Sequence, residues 1–199
     1  MANLVLDVTV EIPKGSKVKY EYNRATKQIS VDRILYGASG YPQNYGFLKE
    51  ALDWDGDELD CLVIADQSIG TGISVPTRLI GAMEMIDDGE TDTKLIGVID
   101  CDPRYAHIKS LKDLNQHLLA EIKDFFENYK NLQKKKVIVR GFQDQAWAVK
   151  EYKECVALMK KYGKMPKASF LKKMKNVIFV LRKCVCSMWD LPVRSRSFS

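Results

Sequence analysis

Apolar and polar residues alternate over several early stretches of the chain. Leu4, Leu6, Val8, Val10 and Ile12 share one phase and Glu11 falls on the other, which predicts a half-buried strand. Pro13-Lys14-Gly15-Ser16 turns the chain. Val18, Tyr20 and Tyr22 then mark a second strand. Ile29, Val31, Arg33 and Leu35 mark a third. Arg33 interrupts an otherwise apolar face. Either its stem lies along the apolar surface with the head in water, or its planar guanidinium waits for an oxyanion. Spacing does not separate the two. Residues 36–49 carry Gly37, Gly40, Pro42 and Gly46 and read as a loop. Its Tyr41 and Tyr45 either anchor the loop to the core or present phenol donors to a ligand. Residues 61–65 form a continuous apolar run. Residues 73–86 read as a long strand, with Pro76 implying an edge or a bulge. Residues 94–99 complete a hairpin with it.

The period then changes. Ser110 with Asp113 three residues on predicts a capped helix start, and Leu111, Leu114, Leu118, Ile122, Phe125 and Tyr129 form its stripe. Lys130 closes it, where a cation suits the helix dipole. Residues 137–139 read as a short strand. Asp144 caps a second helix with its stripe at Ala148, Tyr152, Cys155, Met159 and Tyr162, stopped by Gly163. Strands first and helices after them predict an α+β domain: an antiparallel β-barrel with two helices packed outside.

A chain of 199 residues suggests one domain with a substantial core. The formal net charge of +5 conceals a division. Residues 164–199 hold nine Lys/Arg and one Asp, so the rest of the chain is mildly acidic. This divides the chain into a barrel domain, 1–163, and a basic C-terminal tail, 164–199, read as a weakly ordered extension. Such a tail could also bind acidic surfaces or nucleic acid. Five cysteines, with no CxxC pair, argue for a reducing compartment, and Cys184-Val185-Cys186 is too little for a zinc site. No signal peptide or membrane span is expected, which points to the cytoplasm.

The chemistry concentrates in Asp55-Gly56-Asp57-Glu58-Leu59-Asp60, three aspartates and a glutamate in six residues, with Asp53 just before them. Packed carboxylates repel, and a fold tolerates them best with cations between them. Oxygen donors suit Mg²⁺. A calcium loop fits poorly, because Leu59 and Asp60 stand where its Asp/Asn and Gly belong and a strand follows. A solvated acidic turn is the plain alternative. A second acidic turn, residues 87–92, sits at the tip of the later hairpin. His107 and His117 lie outside both clusters and receive no role. An OB-like module for nucleic acid would need a basic groove with aromatics, and the acids cluster where that groove would lie. A hydrolase acting on nucleotides is a further alternative.

Taken in order, these pieces resemble the soluble family I inorganic pyrophosphatases over about residues 4–163. The acidic stretch is similar to the family's D-x-D-x-x-D signature. Around it stand Glu11-Ile12-Pro13, Lys19-Tyr20-Glu21, Val31-Asp32-Arg33, Tyr41-Pro42-Gln43-Asn44-Tyr45-Gly46, Asp87 to Lys94, and Phe125-Phe126-Glu127-Asn128-Tyr129-Lys130. Glu58 departs from the proline often found there, and the tail has no counterpart. The resemblance implies a five-stranded OB-like barrel that hydrolyses pyrophosphate to two orthophosphates with Mg²⁺. It implies Asp55, Asp60 and Asp92 as main metal ligands, Asp87 and Glu21 as carboxylates for further ions, and Asp57 as the base. Lys19, Arg33, Tyr45, Tyr129 and Lys130 match phosphate-binding positions, with Lys94 in second rank; Glu11 and Tyr41 also line the site. It implies a homohexamer.

Overall fold

A computed structural model describes residues 4–174. Within the described residues lie the elements β1 (Val5–Ile12), β2 (Val18–Asn23), β3 (Gln28–Ile34), β4 (Asn44–Leu52), β5 (Glu58–Ile64), β6 (Ser74–Asp87), β7 (Glu90–Thr91), β8 (Lys94–Ile99), α1 (Gln116–Asn128), β9 (Val137–Gln143) and α2 (Gln145–Tyr162), followed by a helical stretch at 167–174. Strands β1-β4-β5-β8-β6 lie side by side, and β6 pairs back onto β1, closing a five-stranded barrel. β7 and β9 extend β6, and β2–β3 form a separate hairpin.

Closure explains why the strands read as they do. Leu59, Cys61 and Val63 of β5 face one core with Val8, Leu95, Ala148 and Cys155. Leu62 and Ile64 face the other with Ile12, Ile96, Phe125 and Phe126. A strand covered on both faces needs no polar phase, hence the unbroken run 61–65. The second half of β1 is covered on both faces too, so Thr9 and Glu11 are buried while Val5 and Asp7 on the same phase stay exposed.

Three expectations change. The barrel is mixed rather than antiparallel, because β5 and β8 pair in parallel, Asp60 opposite Lys94. Residues 44–52 are a strand and not loop. Gly46 permits it: a Cβ there would lie 2.3 Å from the Thr9 carbonyl oxygen of the neighbouring strand. Ser110 caps a short 3₁₀ turn (Leu111–Asp113), and α1 starts later, at Gln116, with the Asn115 side chain accepting from the His117 amide. Asp144 does cap α2, accepting from Trp147 N–H.

The tail does not begin as a break in packing. Residues 167–174 are helical, and Phe170 and Met174 are buried with Leu52. Cys184, Cys186 and the rest of the basic stretch lie outside the described residues.

Candidate active site

The acidic stretch is a closed turn between β4 and β5. Asp53 N–H donates to the Asp57 carbonyl at 2.8 Å and Gly56 N–H to the Asp53 carbonyl at 3.0 Å. Asp57 N–H donates to Asp55 Oδ1 at 3.0 Å. Gly56 sits at φ +89°, where a side chain would strain the backbone. The turn aims Asp55 and Asp57 at the barrel mouth, and β5 carries Asp60 beside them.

Other elements complete a cavity of about 380 Å³. The β2–β3 hairpin brings Lys19 and Glu21 on one strand and Arg33 directly opposite Lys19 on the other. β6 ends in Asp87, and the turn after β7 carries Asp92. Tyr41 and Tyr45 come from the start of β4 and the segment before it. Tyr129 and Lys130 follow α1. Glu11 of β1 and Lys94 of β8 line the floor. Every residue given a site role in the sequence lines this one cavity, while Asp53 lies behind the turn.

Its charges interlock. Lys94, 3% exposed, donates to both Asp60 and Asp92. Tyr45 O–H donates to the same Asp60 oxygen at 2.5 Å. Lys130 donates to Asp87. Lys19 lies 3.3 Å from Asp32, which Arg33 also contacts. Even so, carboxylates outnumber cations. Burial, then the charges of Asp92 and Asp57, push Asp55 up to about 7. Burial, then Asp60, pushes Glu11 up to about 8. Burial raises Asp60 as well. Asp87 Oδ1 is buried without a hydrogen-bond partner among the described residues, as is Arg33 Nε. An all-oxygen donor set that holds protons this tightly fits a hard divalent cation. The unpaired Arg33 N–H fits an anion, which favours the second of its two readings.

Other residues here received no site role from the sequence. Glu58 accepts from Arg24 Nε at 2.6 Å and so adds no free charge. Lys135 and Lys167 also line the cavity. Behind the turn, Asp53, Glu151 and Cys155 place one potential donor atom each within 4.8 Å of one another. Burial holds Asp53 far above the carboxylate range. Glu151 and Cys155 lie four apart on α2, so only folding brings them to Asp53. Among the described residues no helix is long and apolar enough to cross a membrane.

A family model described as inorganic pyrophosphatase matches residues 8–160. The inorganic pyrophosphatase of Malacoplasma penetrans is 72% identical over 171 residues, 86% of this chain and 94% of that protein. Among solved structures, the Thermus thermophilus inorganic pyrophosphatase aligns with a TM-score of 0.75 at 39% identity, covering 78% of this chain and 91% of that one. The Helicobacter pylori inorganic pyrophosphatase gives 0.76 at 38%, covering 80% and 98%. Matched along its barrel and across the acidic mouth, the chain belongs to the soluble family I inorganic pyrophosphatases.

Proposed function

We propose that this chain hydrolyses inorganic pyrophosphate to two orthophosphates, with Mg²⁺ as cofactor and Asp57 as the base for the attacking water. The observation that carries the reading is one cavity that holds both crowded carboxylates, with Asp87 Oδ1 unpartnered among the described residues, and Arg33, whose Nε is unpartnered too. Asp55, Asp60, Asp87 and Asp92 crowd one group of elements, and Lys19 and Arg33 come together from the β2–β3 hairpin. A small, densely charged anion bridged by cations suits such a space.

Asp55, Asp60 and Asp92 would hold the principal ion, and Asp87 and Glu21 would serve further ones. When bound, divalent ions neutralise phosphate oxygens and acidify bound water. The chain's own groups do the rest. Asp57 is half-exposed, so its carboxylate reaches water and can take a proton as oxygen attacks phosphorus. Lys19 and Arg33 stabilise the charge that gathers on the departing phosphate as the bridging P–O bond breaks. Tyr45, held by Asp60, and Tyr129 set phenol groups at the edge of the phosphate space. Glu11 and Tyr41 brace the floor. The homohexamer belongs to the same reading, as does a cytoplasmic location.

Arg33→Ala tests the phosphate assignment. It is expected to lower kcat/KM for pyrophosphate by roughly 10- to 100-fold, the range of a lost charged hydrogen bond. Unaltered kcat and KM would remove Arg33 from the site.

A further inference from the structure

The family match ends at residue 160, and the chain after α2 turns back toward the acidic mouth. Residues 167–174 are helical. Phe170 and Met174, four apart on one face, are 1% and 4% exposed and pack with Leu52, Trp54 and Tyr162. The Phe170 and Tyr162 rings lie 5.7 Å apart. Lys167 lies one turn before Phe170, and that face meets the acidic turn. A Cβ on Gly56 would stand 3.0 Å from Lys167 Cγ and 3.2 Å from Phe170 Cδ1. The glycine that lets the turn form also admits the helix. From there the Lys167 ammonium reaches into the cavity and donates to Asp57 Oδ2. Lys94 serves Asp60 and Asp92, and Lys130 serves Asp87, but both lie within the family match. Lys167 follows the end of that family model, within the longer match to the Malacoplasma penetrans protein.

We propose that Lys167 is a further active-site residue, carried in by an anchored helix after the family-model match, and that it serves Asp57 as an internal counter-cation whose charge opposes a divalent ion binding at the neighbouring carboxylates. The inference rests on the reading of Asp57 as a site carboxylate beside the metal positions. A carboxylate oxygen already paired with an ammonium has less negative potential to offer an incoming ion. Burial of Phe170 and Met174 tethers the ammonium, so its local concentration at Asp57 is high without new contacts. Lys167 and Asp57 side chains are each 47% exposed, so water screens the pair and the competition is modest.

Titration calorimetry of the full chain with Mg²⁺, without substrate, reads this directly. Lys167→Met keeps the apolar stem over Gly56 and removes the charge. It is expected to tighten Mg²⁺ binding by roughly 2- to 5-fold, the range of a screened ion pair. Lys167→Arg is expected to bind as the wild type does, and thermal unfolding confirms that both variants are folded. Equal or weaker binding by Lys167→Met overturns the proposal and leaves the metal reading intact. If neither wild type nor variant binds Mg²⁺, the metal reading itself fails and takes this proposal with it.

Discussion

Asp57→Asn is expected to fold as the wild type does and to lose roughly 10²-fold or more of its turnover, as removal of a general base does. The substitution keeps shape and volume and removes only the ability to accept a proton. Asp57 is half-exposed; its carboxylate accepts from the Lys167 ammonium, and its backbone N–H, which donates to Asp55 Oδ1, is untouched by the substitution. Losing a screened ion pair costs about 1 kcal/mol or less, so stability is not the explanation for the lost rate. The loss belongs in kcat, with KM for pyrophosphate changed only a few-fold, because Lys19 and Arg33 remain to bind phosphate. Steady-state kinetics of the variant beside its melting curve makes the check. Turnover near that of the wild type would take the base assignment away from Asp57.

Lys94→Met carries the second large effect, on stability in the absence of metal. Lys94 is buried between Asp60 and Asp92, and its ammonium also lies 5.5 Å from the Tyr45 ring centroid. Burial alone would lower its pKa, but the two carboxylates outweigh it and hold Lys94 charged. Removing one partner from a buried ionic group leaves charge uncompensated and costs roughly 3–5 kcal/mol. For a chain of this size that is a fall in Tm on the order of 10 °C. A divalent ion on the same carboxylates would restore part of the loss by binding the folded state. Thermal unfolding with and without Mg²⁺ reads both. An unaltered Tm in the metal-free variant would mean that Lys94 does not neutralise the pair.

Much of the barrel was legible because its strands announce themselves by alternation. β1 and the long β6 follow the apolar pattern closely. β4 was not legible. Glycine and proline normally mark loops, and Gly46 instead marks the point where one strand backbone passes close to another. The parallel β5–β8 pair was hidden for a different reason. Pairing direction is decided by how the whole sheet closes, and a local window carries no trace of it. At α1 the Ser110–Asp113 box is a true local signal, but it closes a 3₁₀ turn, and the helix waits for Asn115.

The acidic residues stood out because carboxylates crowded into two turns are unusual without a cation. Arg33 broke an apolar pattern, but spacing left its two readings even, and the exposed Val31 shows that the pattern was no core face. Their meeting in one cavity depends on contacts far apart in sequence, such as Asp87 with Lys130 and Asp60 with Lys94. Lys167 had no such signal. It is one lysine in a basic stretch, and the Phe170–Met174 spacing that anchors it is too short to read as an amphipathic helix by itself.

Orthophosphate release from pyrophosphate, followed with Mg²⁺ and again with the metal chelated, tests the central claim most directly. ATP run in parallel separates pyrophosphate hydrolysis from a broader phosphoanhydride activity. Fast release from pyrophosphate with Mg²⁺, collapse of the rate on chelation, and little release from ATP are expected. No release from folded protein, or release indifferent to chelation, would contradict it.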